Sequence, residues 1–334
     1  MSTPIRWGIL GTGAIAKKFV CGLQSVPDAE LAAVGSRKQE TADAFAHEFG
    51  FARAHASYEA LAADPDVDVI YVSTPHQLHR ENTLLCLEHR KAVLCEKPFS
   101  INAVEARKMV QRAREQNVFL MEAMWTRYIP AIVQTMKWIQ EGKIGQPRMV
   151  LADFGFRAEV KPEWRLFSPA YGGGSLLDVG VYPISFASMV FSGSPSTVTG
   201  AANLGETGVD EQAGIVLMYP GGKLAVLASG IRTDTPHDAH VLGETGSIRV
   251  HAPFWCATTA TLTLKDEQPV AFQQPHQANG YEYQALEVMR CLREGKKESD
   301  GMALAETITI METMDRLRAQ WGLTYPMETS TPVC

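Results

Sequence analysis

The sequence predicts two domains of different architecture: a doubly wound α/β domain over residues 1–123, and an α+β domain with an open, mostly antiparallel sheet over residues 124–334. Three observations carry this reading. Short β-branched runs alternate with 3.6-period stretches through the first third of the chain, the rhythm of a parallel sheet crossed by helices. A glycine-rich turn joins the first strand to the first helix. Beyond Gln146, most apolar runs are joined by tight turns instead.

In chain order, "IRWGIL" is an apolar strand and "AIAKKFVCGL" a helix with Ile15, Phe19 and Leu23 at helical spacing. "ELAAVGS" is the next strand, and "ETADAFAHEFG" a helix that Gly50 closes. "SYEALAADPDV" gives a short helix stopped before Pro65, and β-branched "VDVIYVST" a central strand. "QLHRENTLLCLEH" is helical, "KAVLCE" a strand, "NAVEARKMVQRAREQ" a helix and "VFLMEA" a strand. The pattern is that of six strands with five crossovers. Later, "GIVLMYPGGKLAVLASGI" reads as a hairpin turning at Pro220-Gly221-Gly222, and "HVLGETGSIRV" as one turning near Thr245-Gly246. One helix, "SLLDVGVYPISFASMVF", interrupts the strands, and two more span about Tyr281 to Arg293 and Ala303 to Trp321.

With 334 residues, 46% hydrophobic and 20% charged, the chain reads as soluble and globular. A net charge of −6 and no Lys/Arg run longer than two argue against a nucleic-acid partner. The charge-free run Val179–Gly205 is broken by Ser, Gly and Pro, so no membrane span is expected. A strand beginning at Ile5 leaves no room for a signal peptide. Six scattered cysteines without a C-x-x-C pair suit reduced thiols, so a cytoplasmic location is expected.

Gly11-Thr12-Gly13-Ala14-Ile15-Ala16 is a G-x-G-x-x-A between strand and helix. The first Gly makes the turn, the second lets a pyrophosphate approach the backbone, and Ala16 lets helix and strand close up. Free amides at the helix start face the phosphates. The motif points to a Rossmann dinucleotide site. NAD-specific sites carry an acid on the second strand. No Asp or Glu lies between Leu31 and Gln39, where Ser36, Arg37 and Lys38 stand instead. That trio suits a 2′-phosphate, so NADP(H) is favoured and NAD(H) admissible.

Glu96-Lys97-Pro98 ends the fifth strand, where such sheets open their ligand crevice. Asp178 and Tyr182 sit at i and i+4 on a helix that Gly172–Gly174 lead into. A lysine ammonium beside a tyrosine favours the phenolate and fits the phenol for proton exchange with an alcohol or carbonyl.

These residues, with "STPHQLH" and "CEKP", resemble the glucose-fructose oxidoreductase / inositol dehydrogenase (Gfo/Idh/MocA) family over nearly the whole chain. "LMEAMWTRYIP" and "GGGSLLDVGVY" resemble its tyrosine branch: dihydrodiol dehydrogenases, D-xylose dehydrogenases and glucose-fructose oxidoreductase. The resemblance implies Lys97 beside nicotinamide and substrate, Tyr182 as acid/base, and Asp178 orienting substrate hydroxyls. It places Glu96, Thr74, Pro75, His76 and His79 along the cofactor, with Trp164 and Arg165 toward its nicotinamide end.

Trp125, Arg127, Phe154 and Tyr281 are candidates for the substrate pocket, each with a packing role as the alternative. His76-x-x-His79 lacks companion ligands, so no metal is expected. The implied activity is NADP(H)-dependent hydride transfer to or from a sugar, polyol or cyclic diol, of the trans-dihydrodiol or D-xylose dehydrogenase type. The implied assembly is a homodimer through the apolar open face of the second sheet. A non-catalytic NADP-binding regulator and an NAD-dependent glycosidase of the same fold are the alternatives.

Overall fold

A computed structural model describes residues 3–329; Cys334, one of the six cysteines, lies outside them. The chain divides into two compact units. Within the described residues, the first comprises 3–100, 104–125 and 277–307, the second 101–103, 126–276 and 308–329.

The first unit runs β1 (Ile5–Leu10), α1 (Ala14–Leu23), β2 (Ala29–Gly35), α2 (Gln39–Phe49), β3 (Arg53–His55), α3 (Tyr58–Ala62), β4 (Val69–Val72), α4 (His79–Glu88), β5 (Ala92–Glu96), α5 (Ala103–Gln116) and β6 (Leu120–Ala123). Its six strands are parallel in the order β3-β2-β1-β4-β5-β6, the doubly wound order with its reversal between β1 and β4. Helices cover both faces, which is why β4 and β5 read as unbroken apolar runs and are buried throughout. β3 is the strand the periodicity does not show: "RAH" has no apolar run and is only half-buried.

The second unit begins with α6 (Pro130–Gln140) and β7 (Pro147–Gly155). A wide helical turn at Leu176–Gly180 leads into α7 (Val181–Phe191). The stretch Pro169–Phe191 is apolar enough to span a membrane, but 94% of its apolar window is buried, which makes it a core helix. Then follow β8 (Thr197–Leu204), β9 (Asp210–Tyr219), β10 (Lys223–Gly230), β11 (Ala239–Gly243), β12 (Gly246–Val250), β13 (Thr259–Leu264) and β14 (Val270–Gln273). Their sheet has the order β14-β13-β12-β11-β7-β10-β9-β8 and is antiparallel except between β7 and β10. α7 packs on one face. The other face leaves Val216, Met218 and Val226 exposed.

α8 (Glu282–Arg293) falls in the first unit; the expected division at residue 123 came with the allowance that C-terminal helices pack back on the Rossmann domain. It seats on α1, where Gly22 leaves room: a Cβ there would meet Asn279 Oδ1 at 2.8 Å and the Glu282 amide at 3.0 Å. α9 (Leu304–Trp321) and α10 (Pro326–Thr329) close the described chain.

Candidate active site

In the first unit, Gly11 takes φ +100° and donates its amide to the Gly35 carbonyl across 3.0 Å, turning the chain between β1 and α1. A Cβ at Gly13, the residue capping α1, would meet nothing within 4 Å, so open space faces the helix amides. Ala16 is fully buried against the sheet. A cleft of about 630 Å³ opens here, lined by Gly11, Thr12 and Gly13 on one side and Ser36, Arg37 and Lys38 on another. This cradle, with open helix amides at Gly13, fits a dinucleotide. Thr41 and Tyr58 line it too, and the sequence reading missed both. Burial pushes the Tyr58 phenol up while its hydrogen bond to Arg37 pulls it down. Position three residues after Lys38, on the first turn of α2, was the available signal for Thr41.

Thr74 and Pro75 line the same cleft. His79 does not reach it. The ring is fully buried, with Nδ1 2.8 Å from the Pro98 carbonyl and Nε2 2.8 Å from that of Thr74. Burial outweighs the two carbonyls and holds the imidazole at about 4. The neutral ring donates through one nitrogen only. His79 thus sits between the Thr74 segment and the Lys97-Pro98 turn.

Glu96, expected on the cofactor side, is tied to its own unit. It is buried, accepts from the Tyr71 hydroxyl and from the Lys97 amide at 3.2 Å, and Tyr71 stacks on Phe19 at 3.8 Å. The costly strand-end charge is therefore used inside the unit. Lys97, half-buried, follows it at a cis Lys97-Pro98 bond. Trp125 and Tyr281 stack at 4.3 Å and are both buried.

In the second unit, Asp178 and Tyr182 are each 6% exposed. They do not share one regular α-helix. Val181 donates to the Leu176 carbonyl five residues back, the signature of a π turn. Pro183 accounts for it: the residue has no N–H for the Val179 carbonyl and its ring clashes there. Gly180 fits beneath, its Cβ direction 3.1 Å from Ser229 Oγ. Arg165 does something the sequence did not suggest. Its Nη1 donates to Asp178 Oδ1 across 2.7 Å. Trp164 is half exposed and lies under Lys161 Nζ at 4.2 Å.

Phe154 stacks on Trp255 at 3.3 Å with an interplanar angle of 2°, and Tyr182 stands 5.3 Å from Phe154 and 6.5 Å from Trp255. His237, at φ +67°, meets the edge of Trp255 at 4.7 Å. Trp255 and His237 were missed, since only the sheet brings them to β7. Arg127 is buried with Nε 3.1 Å from Ser185 Oγ and Nη2 3.2 Å from the Ser185 carbonyl. It buttresses α7 one turn after Tyr182.

The chain was compared with known proteins. Residues 5–124 match the model of an oxidoreductase family with an NAD-binding Rossmann fold, and residues 132–249 match the GFO/IDH/MocA C-terminal domain. A trans-1,2-dihydrobenzene-1,2-diol dehydrogenase from Xenopus tropicalis is 38% identical over 332 residues, 96% of this chain and 99% of that protein. The chain belongs to the GFO/IDH/MocA oxidoreductase family. Among solved structures, a 3-ketoreductase from Actinomadura kijaniata in complex with NADP and TDP-benzene matches with TM-score 0.82 and 25% identity over 95% of this chain and 98% of that one. An aldose-aldose oxidoreductase from Caulobacter crescentus shares the fold at TM-score 0.86 and 22% identity, covering 95% and 98%.

Proposed function

We propose that this family member is an NADP(H)-dependent dehydrogenase of a cyclic trans-diol, a trans-dihydrodiol of an arene being the preferred class. The observation that carries the substrate class is the flat Phe154–Trp255 stack beside Tyr182, a shelf suited to an unsaturated ring. The curated relative's name points the same way. Ser36, Arg37 and Lys38 on the cleft support NADP(H) over NAD(H).

In this reading Gly11, Thr12, Gly13, Ser36, Arg37, Lys38, Thr74 and Pro75 hold the cofactor, which supplies the hydride acceptor or donor. Asp178 accepts from a substrate hydroxyl and fixes the ring's orientation. Tyr182 takes the proton of the reacting hydroxyl in oxidation and returns it in reduction. Lys97, the lysine of the family's signature, supplies positive charge for the proton transfer. The aromatic shelf excludes water from that side. A second copy covers Val216, Met218 and Val226 on the open sheet face, and the protein works in the cytoplasm.

The test is absorbance at 340 nm with NADP+ and, separately, NAD+ over trans-dihydrodiols, aldoses and polyols. Reduction of NADP+ by the dihydrodiols, with NAD+ much poorer, is expected. Turnover confined to open-chain polyols or aldoses overturns the substrate class, and equal use of NAD+ overturns the cofactor assignment.

A further inference from the structure

The turn that carries Asp178 is held by one buried carboxylate. Asp210 opens β9 and is fully buried. Its Oδ2 accepts from Ser175 Oγ at 2.8 Å and from the Leu176 amide at 2.6 Å. Ser175 Oγ is also 2.9 Å from Ser229 Oγ on β10. The other oxygen, Oδ1, has no hydrogen-bond partner. It lies against Gly174, where φ is +112° and a Cβ would stand 2.2 Å away. The nearby Tyr325 hydroxyl does not satisfy it, because that group donates to the Gly173 carbonyl at 2.7 Å.

A helix start is normally capped by its own Ser or Asp. Here Ser175 makes no cap bond of its own, and the anion that the helix amides attract comes from a strand 35 residues on. A buried carboxylate with one oxygen unpartnered is a poor way to stabilise a core, since apolar packing does it at less cost. Its return is geometric. Asp210 fixes the first residue of the π turn, and Ser229 fills the space under Gly180 at the last. Asp178 lies between these two anchors and Tyr182 directly follows them. π turns recur at functional sites because the extra residue re-aims side chains.

We propose that Asp210 is a positioning residue: through Ser175 and Leu176 it sets the turn that aims the Asp178 carboxylate and the Tyr182 hydroxyl at the substrate. The proposal rests on the roles given above to Asp178 and Tyr182. Asp210 itself touches no substrate.

The test uses the full chain with Asp210→Asn, which keeps the shape and one acceptor, and with Gly174→Ala, which displaces Oδ1 from the other side. Amide hydrogen exchange is followed over residues 176–182 and, as a reference, over residues 213–218 of β9. NADPH binding is read by fluorescence, and kcat and KM are measured on the diol. Expected are exchange at 176–182 faster by about tenfold, the cost of a charged hydrogen bond, with β9 unchanged. NADPH affinity should hold while kcat falls by up to about a hundredfold, as misplaced reacting groups demand. Unchanged exchange at 176–182 overturns the proposal, and so does equal acceleration across β9, which marks a merely structural residue. Should Asp210→Asn fail to fold, Gly174→Ala carries the same comparison. A wild-type protein inactive on every substrate defeats the proposed function, yet the exchange result still decides the role of Asp210.

Discussion

Arg165 Nη1 donates to Asp178 Oδ1 across 2.7 Å, joining a guanidinium whose side chain is 56% exposed to a carboxylate whose side chain is 9% exposed. An exposed ion pair is worth little, but a charged hydrogen bond to a buried oxygen orients the carboxylate that the proposed function sets against a substrate hydroxyl. Arg165→Met is expected to raise the KM for the diol about tenfold, the scale of one charged hydrogen bond, with kcat nearly kept. Steady-state kinetics at saturating NADP+ checks this. An unaltered KM would show the pair to be an idle surface contact.

Lys97 stands at the end of β5 with its backbone amide on the Glu96 carboxylate. Lys97→Ala is expected to lower kcat by a factor of about 10² to 10⁴, the usual worth of a proton-transfer device, while NADPH binds as before. Tyr182→Phe should fall in the same range, and the double variant should lose little more, because groups that act as a unit are not additive. Near-normal turnover in Lys97→Ala sinks the mechanism.

The nucleotide cleft gives a graded prediction. Arg37→Ala should raise the KM for NADP+ about a hundredfold and leave that for NAD+ nearly unchanged, since a guanidinium–phosphate pair is charged and bidentate. Tyr58→Phe removes only the hydroxyl bonded to Arg37 and should produce a smaller loss of the same sign. Equal losses with both nucleotides would place Arg37 outside the 2′-phosphate site.

Trp255 lies flat on Phe154 and 6.5 Å from Tyr182. Trp255→Leu is expected to weaken use of an arene dihydrodiol about tenfold, the worth of one aromatic contact, and to change use of a pentose far less. Ratios of kcat/KM for the two substrates measure it. Parallel losses would make the residue general packing.

The doubly wound sheet was legible because buried parallel strands must be apolar on both faces, and β1, β4 and β5 write that out. β3 was not, because half-buried "RAH" leaves no such trace. The two hairpins were marked by Pro220-Gly221-Gly222 and Thr245-Gly246, whose chemistry is local. Pro183 carried the signal for the wide turn in full view. Trp255 and Asp210 could not be assigned, and Arg165, expected toward the nicotinamide end, gave no hint of its bond to Asp178, because their partners are set by loop path and by the register of β7, β9 and β10. The contacts of His79 with the Thr74 and Pro98 carbonyls and of Glu96 with Tyr71 were not legible, because period and motif locate a residue along an element but do not say what its side chain meets.

Two buried groups give the pH dependence of stability opposite signs. His79 is held at about 4 by burial, below the 6.5 of a free imidazole, so its share is present above pH 6.5 and is lost as pH falls toward 4. Asp210 is pushed up to about 6 from 3.8, so its share is present below 3.8 and is lost as pH rises through 6. Each is on the order of 3 kcal/mol. His79 belongs to the first unit and Asp210 to the second, so the two units should respond oppositely between pH 4 and 6.5. Asp210→Asn, which cannot titrate, should remove the loss of stability that the second unit shows on going from pH 4 to pH 6.5. His79→Gln should remove the first unit's acid loss. Hydrogen exchange of residues 176–182 and of β4, followed at both pH values in each variant, separates the two. The assignment fails if Asp210→Asn leaves the pH response of residues 176–182 as it is in the wild type.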